Sequence, residues 1–100
     1  MYRVEFRKTI FFTELGDYEN RAGLRVELTL PFAPYPGLRV IFGNGLVGEA
    51  IVESVTWIND DSYFSCETLP EIEKSGKLLL WIDSGWAVQS TKVQVVLQRT

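Results

Sequence analysis

The side chains able to do chemistry in this chain are few, and their types exclude more than they offer. Among its 100 residues there is no histidine. That removes the commonest general base, the Ser-His and Cys-His pairs, and the usual zinc ligand sets together. The single cysteine, Cys66, follows Phe64 on the apolar phase of its stretch, where a thiol behaves as a small hydrophobe with a raised pKa. Carboxylates can run acid–base chemistry or hold a hard cation, and two pairs have suitable spacing, Glu49 with Glu53 and Asp60 with Asp61. The EF-hand spacing is absent, however, and acidic pairs on a strand face or in a turn ordinarily stay solvated. Gly43, Gly45 and Gly48 are spaced G-x-G-x-x-G but fall between two strands, whereas a phosphate-binding loop opens a helix. Ser75 with Lys77 lacks any supporting motif. The expectation is a protein that is not an enzyme and has neither cofactor nor metal site.

The aromatic side chains say more. Trp57, Trp81 and Trp86 supply a large share of the area so small a core can bury. Counting one inward phase per strand leaves Phe11, Ile41, Ile51, Ile58, Leu79 or Trp81, and Val96 facing outward. If contiguous, they exceed the apolar patch a monomer ordinarily tolerates; the alternative is that a helix and the Glu14–Gly23 loop cover them. The leading expectation is a non-catalytic interaction module that self-associates, or meets another protein, through anchors such as Phe11, Tyr35, Ile41 and Trp81. Tyr35, framed by Pro34 and Pro36, suits a rigid contact. The second expectation is a small-ligand carrier lined by Trp57, Trp81 and Trp86, with Asp83 as its polar handle. A carboxylate-dependent enzyme comes third.

The elements that position these residues are strands. Residues 2–13 alternate, with Tyr2, Val4, Phe6, Ile10 and Phe12 on one face, and Lys8 interrupts that face, which predicts a kink or an exit from the core there. Glu14–Gly23 reads as an exposed loop. Leu24, Val26, Leu28 and Leu30 alternate cleanly with polar neighbours. Pro31 and Pro34-Tyr35-Pro36-Gly37 end that strand, Leu38–Phe42 follows, and Asn44-Gly45 has the signature of a type I′ hairpin. The strand from Leu46 to Ile58 changes phase, and a bulge near Glu53-Ser54 would let Val52, Val55 and Trp57 all point inward. Asn59-Asp60-Asp61 turns into Tyr63–Thr68. Thr68-Leu69-Pro70-Glu71 has capping-box spacing, which predicts a short helix near residues 69–75 closed by Gly76. Leu78–Ile82 reads as a strand covered on both faces, Asp83-Ser84-Gly85 as a turn, and Val93, Val95 and Leu97 as a last strand.

The fold class is therefore all-β with one short helix. A small antiparallel barrel of six or seven strands, SH3-like or OB-like, is the first choice, since closure removes exposed edges; a two-sheet β-sandwich is the alternative. Gly37–Thr68, with long bent strands and tight turns, is similar in general look to SH3-like barrels, although no family motif is matched residue for residue. The length suits one domain spanning residues 1–100.

Charge narrows the partners. The net charge is −3, and the middle of the chain, residues 31–76, holds seven acidic and two basic side chains. Arg39 and Lys74 are a poor footprint for a phosphate backbone, so no nucleic-acid partner is expected. No apolar run approaches a membrane span, no signal-peptide pattern opens the chain, and a lone cysteine suits a reducing compartment, so a cytoplasmic protein without membrane attachment is expected.

Overall fold

A computed structural model of the chain describes residues 1–12, 20–42 and 49–91. In chain order these form β1 (Tyr2–Phe11), β2 (Arg21–Leu30), β3 (Arg39–Ile41), β4 (Glu49–Ile58), β5 (Tyr63–Thr68) and β6 (Glu71–Ile72). A 3₁₀ turn (Ser75–Lys77) then leads into helix α1 (Leu78–Asp83), and β7 (Ala87–Thr91) follows. The class is all-β with one short helix, as expected.

The strands join into one mixed sheet in the order β3-β4-β5-β1-β2-β7, with β6 also paired to β1. The described path is open, with β3 and β7 at its ends, and is one connected sheet instead of the two facing sheets of a sandwich. β1 is its axis. It runs antiparallel to β2 from Tyr2↔Leu30 to Phe11↔Arg21, and parallel first to β5 and then to β6. The parallel pairs correct the expectation of a purely antiparallel sheet. Alternation of apolar and polar residues is the same in either direction, so it carries no information on whether β5 meets β1 head to tail or side by side.

Local chemistry explains most element boundaries. The amide of Leu38 donates to the Tyr35 carbonyl at 3.1 Å, closing a turn with Pro36 second and Gly37, at φ +92°, third, as a type II turn requires. β4 pairs with β5 through Val52↔Thr68 and then Ser54↔Glu67. Glu53 is therefore the extra residue of a β-bulge, at the position the phase change predicts. Val52 and Val55 both face the core side, but Trp57 is 48% exposed, so it shares their phase without sharing their burial. A second register shift, with Gly23↔Ser90 followed by Leu24↔Val88, leaves Gln89 unpaired in β7. Gly23 lies inside β2, so the loop after β1 is shorter than the expected Glu14–Gly23. The Asn44-Gly45 hairpin, the Leu46–Gly48 start of its strand, and the strand at Val93, Val95 and Leu97 lie outside the described residues, as does Val96.

The helix is displaced from its expected place. Residues 69–75 contain β6, and the apolar run expected as a strand is α1. Thr68 does not cap a helix; its hydroxyl donates to the Arg7 carbonyl at 2.8 Å. Leu78 and Trp81, three apart, are the buried residues of α1, and a short apolar run cannot by periodicity alone be told from a buried strand. Asp83-Ser84-Gly85 ends the helix: Gly85 (φ +110°) donates to Ile82 and Trp86 donates to Trp81, the paired bonds of a Schellman cap.

The core comprises Val4, Phe6, Ile10 and Phe12 of the β1 segment, Ala22 and Leu24 of β2, Leu38, Phe42, Ala50, Val52 and Cys66, and Leu78, Trp81 and Trp86. Phe42 bridges Phe6 and Trp86, at ring distances of 6.0 and 4.9 Å, and Trp81 meets Trp86 edge-on at 5.8 Å. This aromatic group seats α1 on one end of the sheet.

Candidate functional site

α1 (six residues) sets Trp81 beside Lys8 towards the C-terminal half of β1, whereas at the N-terminal end Val4 is fully buried and Tyr2 is partly exposed. There the register brings four strands together: Tyr2 opposite Leu30, Val4 opposite both Leu28 and Phe64, and Phe64 opposite Trp57. The rings form a continuous strip, with Tyr2 5.9 Å and Trp57 4.9 Å from Phe64. Leu28, Leu30, Val55 and Phe64 pack on the core and are half-buried, while Tyr2 and Trp57 remain 43% and 48% exposed. The strip contains no charged side chain. Its polar groups are the Tyr2 hydroxyl and the Trp57 indole, which donates to Asn59 Oδ1 at 3.3 Å.

A second feature arises where β5 gives way to β6. Both run along the same edge of β1, and Leu69-Pro70 separates them, so Lys8 and Thr9 lie opposite a break in the ladder. On the core side the gap is filled by Lys8, whose side chain is fully buried. Its ammonium donates to the Leu69 carbonyl at 2.7 Å and to Glu71 Oε1 at 3.3 Å, and lies 5.3 Å from the Trp81 ring centre. Burial pushes its pKa below the ordinary lysine value, against the pull of Glu71 and Glu73. Lys8 thus keeps the phase of β1 and neither kinks it nor leaves the core. On the outer side the gap opens as a cleft of about 340 Å³ lined by Thr9, Phe11, Glu53, Ser54, Glu67, Thr68 and Pro70.

The outer face beside the cleft is charged and internally paired. Glu5, itself buried, accepts from Arg7 at 2.6 Å, which raises the Arg7 pKa, and Arg3 pairs with Glu27 at 2.8 Å while lying over the Tyr63 ring. Cys66 is buried in the core, and desolvation pushes its thiol up to about 11.

The sequence-predicted residues do not converge on one site. Trp81 and Trp86 are each 1% exposed, so they anchor the helix within the core and present no surface to a partner; they also line no common wall with Trp57, which stacks on Phe64. Tyr35 and Ile41 are exposed, at 54% and 68%; Tyr35 lies 6.4 Å from Phe32 in the proline loop and Ile41 ends β3. Phe11 is half-buried in the outer cleft, and Asp83 is exposed at the end of α1. Ile51, Ile58 and Leu79 are half-buried. Glu49 pairs loosely with Arg39 at 3.5 Å, Asp60 and Asp61 are exposed in their turn, and no group of acidic or thiol side chains suited to a metal occurs among the described residues.

Comparison with protein-family models, curated protein sequences and solved structures gives no match. The site is therefore read from its own geometry. Among the described residues no helix is long and apolar enough to cross a membrane. Sequence reasoning missed the strip because Tyr2, Trp57 and Phe64 all carry the inward phase, and phase does not say how much of each ring is exposed.

Proposed function

We propose that this protein is a non-catalytic interaction module that self-associates through the Tyr2–Phe64–Trp57 strip. What carries the reading is Trp57: a large aromatic ring in the inward phase of β4, packed on Phe64 and half in water. An uncharged strip of this kind accepts a second copy of itself without like-charge repulsion, and a two-fold axis through it places each Trp57 against the other copy's strip. Phe32, Tyr35, Ile41, Leu69, Ile72 and Leu80 are also exposed, but none of them belongs to the Tyr2–Phe64–Trp57 strip, and they are secondary to it.

Two further elements belong to the proposal. The Glu53 and Gln89 bulges increase local twist, which supports reading the sheet as the scaffold of a small SH3-like or OB-like barrel. The buried free thiol of Cys66 supports a reducing, cytoplasmic setting.

The test is sedimentation at micromolar to sub-millimolar concentration, comparing the wild type with Trp57→Asp. Truncating a central aromatic anchor costs at least about 2 kcal/mol of association, roughly thirtyfold in affinity. The wild type is expected to show a concentration-dependent dimer that the variant loses while its circular dichroism is unchanged. A wild type that stays monomeric up to about 0.5 mM, weaker than the affinity of a specific interface, overturns the reading.

A further inference from the structure

The two polar groups of the strip sit on either side of its middle ring. β5 lies between β4 and β1 in the sheet, so Phe64 separates Trp57 from Tyr2, with ring centres 4.9 and 5.9 Å away. All three share one face, since Phe64 is opposite both Trp57 and Val4 and Tyr2 is in phase with Val4. An indole can only donate a hydrogen bond, whereas a phenol oxygen also accepts. The Trp57 N–H has a long bond, 3.3 Å, to Asn59 of its own turn, and both side chains are exposed. Among the described residues the Tyr2 hydroxyl has no hydrogen bond. The ends of the strip are thus complementary in charge, a partly positive N–H at one and an uncommitted oxygen at the other.

Two copies meeting face to face have a two-fold axis that runs either along the strip or across it. An axis along the strip sets Trp57 on Trp57, donor against donor, and Tyr2 on Tyr2. An axis across it, through Phe64, sets each Trp57 over the Tyr2 of the other copy and gives each donor an acceptor. We propose that the second copy binds in this crossed register, with Phe64 on Phe64 at the axis and each Trp57 Nε1–H donating to the Tyr2 oxygen of the other copy. This rests on the self-association proposed above and adds the register and the residue that sets it. Symmetry makes the bond twice. The uncrossed register closes the interface over two indole donors with no acceptor between them, and a buried donor left unpaired costs more than a neutral hydrogen bond contributes. Tyr2 is therefore the specificity-determining residue of the strip, through its hydroxyl and not its ring alone.

The experiment mixes two variants of the full chain, Tyr2→Phe and Trp57→Phe, and measures association by sedimentation for the wild type, each variant alone and the mixture. In the crossed register each variant homodimer lacks both bonds, whereas the mixed dimer keeps one complete Trp57–Tyr2 pair. The ring area removed is equal on the two sides of this exchange, so it cancels. The mixed dimer is expected to be about fivefold tighter than the geometric mean of the two homodimers, beyond the statistical factor, which is the worth of one neutral hydrogen bond. Tyr2 and Trp57 are 43% and 48% exposed and both replacements stay aromatic, so the variants are expected to keep the wild-type circular dichroism. A mixed dimer that forms where neither variant dimerises alone supports the register equally. A dimeric wild type whose mixed variants associate no more tightly than that mean overturns the crossed register and leaves self-association standing. A monomeric wild type overturns both.

Discussion

Lys8 gives the sharpest prediction about what holds the fold together, because two substitutions separate its stem from its charge. Lys8→Ala removes three methylenes from a fully buried side chain, worth about 0.8 kcal/mol each before any cavity term. Both substitutions also remove the bonds to Leu69 and Glu71. A charge-assisted bond such as that to Leu69 is worth about 1.5–3 kcal/mol. Glu71 is 35% exposed and water can take the place of its partner, so that pair contributes little. Against these losses stands the release of a buried ammonium from its desolvation penalty, itself about several kcal/mol. The electrostatic gains and losses thus nearly cancel, and the stem decides. Lys8→Ala is expected to cost about 3 kcal/mol, and Lys8→Met, which keeps the stem's length, no more than about 1. Urea unfolding measures both, and hydrogen exchange in the alanine variant is expected to open β6 and α1 first. Equal costs for the two variants, or an alanine cost under about 1 kcal/mol, would refute the argument that Lys8 acts through its buried stem.

Other consequences follow from single positions. Cys66 is an acid held protonated by burial, up to about 11 in the folded state against 9.0, so its contribution is lost as pH rises through that window, by at most about 1.4 kcal/mol per pH unit. Lys8 has the opposite sign, since its lowered pKa makes stability rise with pH below 10.5 as its unfolded form stays protonated; comparing denaturation from pH 8.5 to 11 in wild type, Cys66→Ala and Lys8→Met separates the two slopes. Gly85→Ala is expected to cost about 1–2 kcal/mol by thermal melting, because φ is +110° while nothing lies within 4 Å of the added methyl, so the cost is backbone strain alone. Deleting Glu53 restores an unbroken β4–β5 ladder and leaves every inward residue in phase, whereas deleting Thr56 flips Trp57 and Ile58. The first deletion is expected to keep a cooperative urea transition and the second to lose it.

How far the chain could be read in advance depended on whether a feature is local. The Glu53 bulge was legible because Ala50 and Val52 on one phase and Val55 and Trp57 on the other cannot share a face without an inserted residue. The Pro36-Gly37 turn was legible because its residue types admit few backbone conformations. Leu78–Ile82 was not, since five apolar residues satisfy a buried strand and a short helix equally, and only packing of Trp81 against Trp86 decides between them. The pairing of β1 with β5 depends on residues some sixty positions apart, as in Val4↔Phe64, and no period within either strand encodes it. Lys8 looked like an error in the apolar phase; its partner, the Leu69 carbonyl, is a backbone group that every sequence supplies. The strip escaped notice for a related reason, because the alternation of Tyr2, Phe64 and Trp57 records which face they take and not whether anything covers that face.

The central claim, that this strip meets a second copy of itself, is tested most directly by isotope-filtered cross-relaxation in a mixture of labelled and unlabelled chains. Proximity between the Trp57 indole of one copy and the Tyr2, Phe64 or Leu30 protons of another is the result predicted. Intermolecular signals confined to Phe32, Tyr35 or Ile41, or none in a concentrated sample, would contradict it.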